Sequence, residues 1–165
     1  MDEVERLIEQ LSKDRTAMQR ALSRVDTQME ICPGWTVKEI LAHIAGWDEV
    51  TTSTVRAHTA GTTPEPLEIR GIDAYNEVLV AKCAALSYDE MIRHWKKTRR
   101  ELVDALADTP PERLRERAQF PWGETGNIHR LVSILSEHER EHAQEIMEQA
   151  SAGAGDPAEA REATE

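Results

Sequence analysis

The segment SEHEREHAQEI, residues 136–146, sets His138 and His142 four positions apart. On a helix such residues stand on successive turns with Cβ atoms about 5–6 Å apart, a spacing that suits two ligands of one metal ion. A third imidazole lies upstream in EILAHIAGW, residues 39–47, where Ile40 and Trp47 flank His43 at helical spacing. His43 therefore leans toward the apolar side of its own helix. Three neutral imidazoles with a fourth position open form a catalytic type of zinc site, and nickel, iron or manganese would accept the same donors. A thiol with a free pKa near 8.5 loses its proton on coordination, and bound water falls to about 7, so such a site makes a nucleophile at neutral pH. Taken singly, each histidine reads as a core or boundary residue bonded to a carbonyl. Together they favour a metal, because burying three imidazoles otherwise requires three separate sets of hydrogen-bond partners. His58, His94 and His129 lack this placement and are expected at the surface.

Residues 138–142 also spell H-E-x-x-H, the zincin pattern in which the glutamate beside the first histidine is the general base. That alternative would make Glu139 catalytic, but no third ligand follows downstream and no strand pattern precedes it. Asp48, Glu139 and Glu145 are the carboxylates placed to orient an imidazole N–H. Spacing does not choose among them.

The elements that must carry these residues are helical. Apolar residues at Val4, Leu7, Ile8, Leu11, Met18, Ala21, Leu22 and Val25 repeat at three and four, predicting a first helix from Val4 to about Val25. Thr36 and Glu39 form a capping-box spacing after Pro33 and Gly34, so a second helix should start near Val37 and stop at Gly61. A shorter segment from about Ile72 to Ala85 follows, with Asp73 as N-cap and an apolar content that suggests burial. Ser87 and Glu90 repeat the capping box, predicting a helix from Tyr88 to about Ala107 before DTPPER. The stretch AQFPWGETGN reads as a loop with bulky apolar content, common at a pocket mouth. The last helix is expected from about Gly126 to Ala150, with Ile128, Leu131, Val132, Leu135, His138, His142 and Ile146 on one stripe. No strand pattern is evident. The fold class is all-α: an antiparallel four-helix bundle over residues 1–150, with a short extra helical segment between the second and third long helices. Residues 151–165, small and acidic, read as a disordered tail.

A net charge of −11, without a basic stripe, repels phosphate backbones, so nucleic acid is not an expected partner. The one basic run, HWKKTRR at residues 94–100, reads as a solvated face paired with Glu90, Glu101 and Asp104. No apolar run is long enough for a membrane span, and the acidic opening MDEVERLIEQ is unlike a signal peptide, so a cytoplasmic protein is expected. Cys32 and Cys83 lack any metal or redox spacing and read as small buried or incidental residues.

PGWTVKEILAHIAGWDE, GIDAYNEVLVAK and PWGETGNIHRLVSILSEHEREHAQEI resemble the DinB-like superfamily, in particular its ClbS/DfsB and mycothiol-dependent maleylpyruvate isomerase-like branches. The resemblance covers about residues 3 to 150. It implies a bundle with an unusual connection order, a divalent metal (zinc or nickel foremost) held by His43, His138 and His142, and a low-molecular-weight thiol as cosubstrate. The implied activity is metal-dependent thiol transfer or hydrolysis on a small electrophilic or toxic molecule, with Trp47, Asn76 and Trp122 shaping the pocket mouth. ClbS-like members open the cyclopropane of a genotoxic natural product and need not keep the triad. Asp73 and Asn76 match a D-x-x-N element of that branch. The alternatives are a metal-free resistance protein of that kind and a protein that only binds its ligand. Oligomeric state stays open, with a homodimer through an exposed helix face as the candidate.

Overall fold

The structure, a computed structural model, describes residues 1–153. Four long helices, α1 (Glu3–Leu22), α2 (Val37–Ala60), α4 (Tyr88–Ala107) and α5 (Ile128–Gly153), form the bundle, and the shorter α3 (Ile72–Lys82) lies between α2 and α4 in sequence. The all-α class and the extra segment are as expected. Residues 154–165, most of the expected tail, lie outside the described residues, while Ser151–Gly153 continue α5. Among the described residues no helix is long and apolar enough to cross a membrane.

Three helices begin at reciprocal caps. Asp2, Thr36 and Ser87 each pair with a glutamate three residues on, and the Thr36 and Ser87 N–H groups donate to Glu39 and Glu90 at 2.8 and 2.7 Å. Each satisfies donors that a helix start leaves free, a contribution of about 1 kcal/mol. Gly61 ends α2 in the left-handed region at φ 73°, where a side chain would be strained.

Helix α1 packs chiefly against α5, and α2 chiefly against α4. α2 and α4 are consecutive long helices, whereas α1 packs on the last helix rather than on the next long one. α3 starts at Ile72 as expected, but its N-cap position is Gly71 rather than Asp73; it ends at Lys82, short of Ala85, and buries only Tyr75 and Leu79. It rests on α2 along one narrow face. There Gly46 matters, because a Cβ at that position would stand 2.6 Å from a Leu79 methyl.

Two small antiparallel hairpins were not expected. β1 (Glu30–Cys32) pairs with β2 (Trp35–Thr36), and after a short 3-10 turn at Pro111–Arg115, β3 (Ala118–Gln119) pairs with β4 (Thr125–Gly126). Strands of two or three residues are too short to show alternation in a sequence. They turn the loops before α2 and α5 into fixed walls.

The core has two apolar halves separated by a layer of charge. One half gathers Met18, Ile40, Ile44, Trp95 and Ile146, and the other Leu11, Val55, Leu102, Leu106 and Val132. Between them each long helix contributes one ion: Arg15, Asp48, Arg99 and Glu139 are all buried, the two carboxylates completely. Arg99 donates to Asp48 at 3.0 and 3.1 Å and pairs with Glu139 at 2.6 Å. Arg15 donates to Glu139 at 2.8 Å, to Asp48 at 3.2 Å and to the Trp95 carbonyl at 2.9 Å, with its guanidinium 3.9 Å over the Trp95 ring. Burial works against the Arg99 charge, but Asp48 and Glu139 outweigh it and hold its pKa above the ordinary value. The basic run is therefore not the uniform solvated face expected: Trp95, Thr98 and Arg99 face inward, while Lys96, Lys97 and Arg100 are exposed. Cys83 is buried and Cys32 half-buried, both free.

Candidate functional site

His43 projects from the second turn of α2, and His138 and His142 from successive turns of α5. Their rings meet edge to face, with centroids 4.7 Å apart for His43 and His138 and 4.4 Å for His138 and His142. His138 Nε2 lies 3.0 Å from Nε2 of His43 and 3.0 Å from Nε2 of His142, and one donor atom from each ring lies within 4.8 Å of the others. Two nitrogens bound to one ion at 2.0–2.1 Å are about 3.0–3.3 Å apart, so the cluster has the dimensions of a shared ligand set.

Protonation state agrees with that chemistry. Burial, then the neighbouring His138 and His142, pushes the His43 pKa down to about 3, with Asn76 opposing. Burial and then His142 push His138 down to about 4. Both rings are neutral at pH 7 and present lone pairs. His142 Nδ1 lies 3.0 Å from Glu145 Oε2, which holds the proton on Nδ1 and leaves Nε2 free to ligate. His43 Nδ1 is buried with no hydrogen-bond partner, an omission that costs about 1–3 kcal/mol in a folded protein.

Of the three carboxylates the spacing left open, Glu145 alone reaches the triad. Asp48 and Glu139 turn into the charge layer, because neighbours in a helix project about 100° apart and Glu139 faces α1 and α4 where His138 faces α2. The zincin alternative fails on the same geometry: Glu139 is fully buried between two guanidinium groups and cannot serve as a base beside the histidines. His94 and His129 are half-buried beside Glu49 and Glu3, away from the triad. His58 is not at the surface as expected; it is buried, with Nε2 2.8 Å from the Arg113 carbonyl.

The triad opens into a cavity of about 490 Å³ that Trp47, Asn76 and Trp122 line, within the usual size of small-molecule pockets. Trp47 Nε1 donates to Asn76 Oδ1 at 2.8 Å, tying α2 to α3, and the Trp47 ring meets Trp122 edge to face at 5.9 Å. Phe120, from the loop expected at a pocket mouth, also lines it, as do Trp35 and Glu124, which sequence reasoning did not single out. Trp35 sits 5.2 Å from the His43 ring and Phe120 sits 5.0 Å from Trp122. Both belong to the hairpins, and the cluster of aromatic residues beside Pro121 and Pro33 was the available signal.

Residues 4–127 match the family described as the mycothiol maleylpyruvate isomerase N-terminal domain. The chain belongs to this family. Its fold is that of the DinB-like superfamily. The crystal structure of the mycothiol-dependent maleylpyruvate isomerase superposes with a TM-score of 0.72 at 18% identity, covering 87% of this chain and 60% of that one. This chain thus spans about three-fifths of the isomerase's length. The structure of DfsB, a sibling lethal factor precursor, gives 0.75 at 18% identity over 91% and 96% of the two chains. Colibactin self-resistance protein ClbS, solved in complex with double-stranded DNA, gives 0.71 at 14% identity over 87% and 92%. At these identities the likeness shows the fold alone. No curated protein matches the chain in sequence.

Proposed function

We propose that His43, His138 and His142 hold a divalent metal ion through their Nε2 atoms and that the protein transfers a low-molecular-weight thiol to a small electrophile. The observation that carries this reading is the convergence of three imidazole nitrogens from α2 and α5 at one wall of a cavity of small-molecule size. The bound ion would supply charge that lowers the pKa of a coordinated thiol or water. His142 is oriented for ligation by Glu145. Trp47, fixed by Asn76, and Trp122 hold the electrophile and exclude water from it. In the transfer the thiol gives up its proton to solvent and its sulfur forms the new bond to the electrophilic carbon as that carbon's bond to the epoxide oxygen or to chlorine breaks, the alkoxide taking a proton from solvent or chloride leaving. Kinship with a mycothiol-dependent isomerase family supports a thiol-related role. Zinc and nickel are the metals of choice for an all-imidazole donor set.

Metal analysis of the purified protein and of His142→Ala tests this reading, together with thiol consumption in the presence of epoxides or chloro-aromatics. Stoichiometric zinc or nickel in the parent, lost in the variant along with thiol consumption, is expected. A metal-free parent whose thiol consumption is at background would refute it. One observation favours a second reading: DfsB and ClbS are covered over nearly their whole length, the isomerase over three-fifths. A protein of that kind would bind or hydrolyse a toxic small molecule without metal, and tight ligand binding by metal-free protein would support it.

A further inference from the structure

The lining of the cavity beside the triad has a chemical bias that restricts what can enter. Trp35, Trp47, Phe120 and Trp122 supply aromatic surface from one side, and α5 supplies Leu131, Ile134 and Leu135. Two of its lining residues, Ile72 and Ile134, are 53% and 46% exposed, so the rim itself is apolar. Exposed apolar residues at a concave rim mark a surface meant to be covered.

The polar groups are few and mostly engaged. The Trp47 N–H is spent on Asn76, and the Trp122 N–H donates to Glu124 Oε2 at 3.2 Å. These two indoles therefore offer ring faces and edges, not donors. Among the described residues no lysine or arginine lines the cavity, and its one carboxylate, Glu124, is exposed at the rim. An ion on the triad would meet one carboxylate of a dicarboxylate, but the other would leave its hydration shell without a cationic side chain to receive it, a cost of several kcal/mol for the unpaired charge. The chain's net charge of −11 adds long-range repulsion. A cation would find π faces, but Glu124 is held by Trp122 at the edge and no other carboxylate lines the cavity.

We infer that this cavity takes an uncharged, flat apolar molecule, aromatic or conjugated, and rejects dicarboxylates. The inference rests on the triad cavity being the substrate site, and it names the substrate class that site accepts. It separates this chain from what a dianionic maleylpyruvate-type substrate would need, and it gives each exposed rim residue a role in recognition.

Three matched probes test it by equilibrium dialysis against the full chain: 4-nitroanisole (neutral), 4-nitrophthalate (dianion) and 4-nitrophenyltrimethylammonium (cation). Each is run with zinc-loaded and chelator-treated protein. The expected result is saturable binding of the neutral probe, at least about ten-fold tighter than either charged one, and weakened about ten-fold by Trp122→Ala through lost ring contact. Ile134→Arg, an exposed substitution that leaves the core untouched, should raise 4-nitrophthalate binding. Preference for the dianion in the parent protein overturns the inference, as does preference for the cation that Glu124→Gln removes. Neutral-probe binding that survives chelation supports the inference whatever the metal analysis finds. Failure of the metal reading is thus read separately, from the metal content of parent and His142→Ala protein.

Discussion

His138 and Glu139 are consecutive residues of α5, yet they belong to opposite kinds of polar cluster. Glu139, with Asp48, Arg15 and Arg99, forms a closed set in which opposite charges answer one another across all four long helices. His138, with His43 and His142, forms an open set: ring nitrogens face each other 3.0 Å apart and a cavity adjoins. A closed set has nothing left to bind and sets helix register; an open set is unfinished without a ligand. The same division recurs between consecutive residues of α2, where Asp48 enters the charge layer and Trp47 the cavity wall. Polarity in a bundle core is thus a weak indicator of function, and unsatisfied polarity beside a cavity is a strong one.

Breaking the closed set should have the largest effect. Asp48→Ala leaves two buried guanidinium groups short of a partner and should cost about 3–5 kcal/mol in urea unfolding. His138→Ala, one residue from Glu139, should move the metal-free protein by less than about 1 kcal/mol, since its ring has no stabilising charge partner to lose. Equal losses from the two substitutions would erase the distinction between the clusters.

The open set should respond to metal and to acid. If zinc binds, zinc at a hundred times its dissociation constant should stabilise the protein by about 2.7 kcal/mol, an increment absent in His142→Ala. In metal-free protein the folded pKa values of His43 and His138, about 3 and about 4, lie below the ordinary 6.5. As pH falls below 6.5 the unfolded chain takes up protons that the folded chain refuses, so stability drops across the window from about 6.5 to about 3. Thermal melts at pH 7 and pH 4.5 should show this drop shrinking in His43→Ala. An undiminished drop would place the acid sensitivity in the carboxylates alone.

A smaller effect is expected at Glu145. Glu145→Gln keeps an acceptor for His142 Nδ1 but removes its charge, and weakening of metal affinity by about 10-fold, within the 10–100-fold range of such partners, is the outcome to seek by competition with a chelator. Unchanged affinity would make Glu145 a bystander on an exposed turn.

Much of the architecture was legible because bundle helices announce themselves. The bounds of α2 and α4 follow from capping boxes at Thr36 and Ser87 and from Gly61, all local features with local causes. The triad was legible for a similar reason: His138 and His142 share a helix face by spacing alone, and His43 sits on the apolar side of α2. What escaped depends on which helices become neighbours. Glu139 was open to an orienting or catalytic role because its sequence does not reveal that α1 and α4 would bring Arg15 and Arg99 against it. Trp35 escaped because a hairpin with strands of two or three residues carries it.

The run at residues 94–100 gives the smallest and cleanest test of that lesson. Lys97 and Arg99 look equivalent in the sequence, two basic residues two positions apart. Lys97 is exposed and pairs with Glu101 at 3.7 Å along the same helix, an arrangement worth about 0–1 kcal/mol and weakened by salt. Arg99 sits 200° further round the helix, inside the charge layer, where salt does not reach. Lys97→Ala should therefore shift unfolding by only a few tenths of a kcal/mol, and by less still at about 1 M salt. Arg99→Ala should cost several kcal/mol at either salt concentration. A Lys97 effect as large as that of Arg99 would return the whole run to a single solvated face and leave the buried layer without its principal bridge.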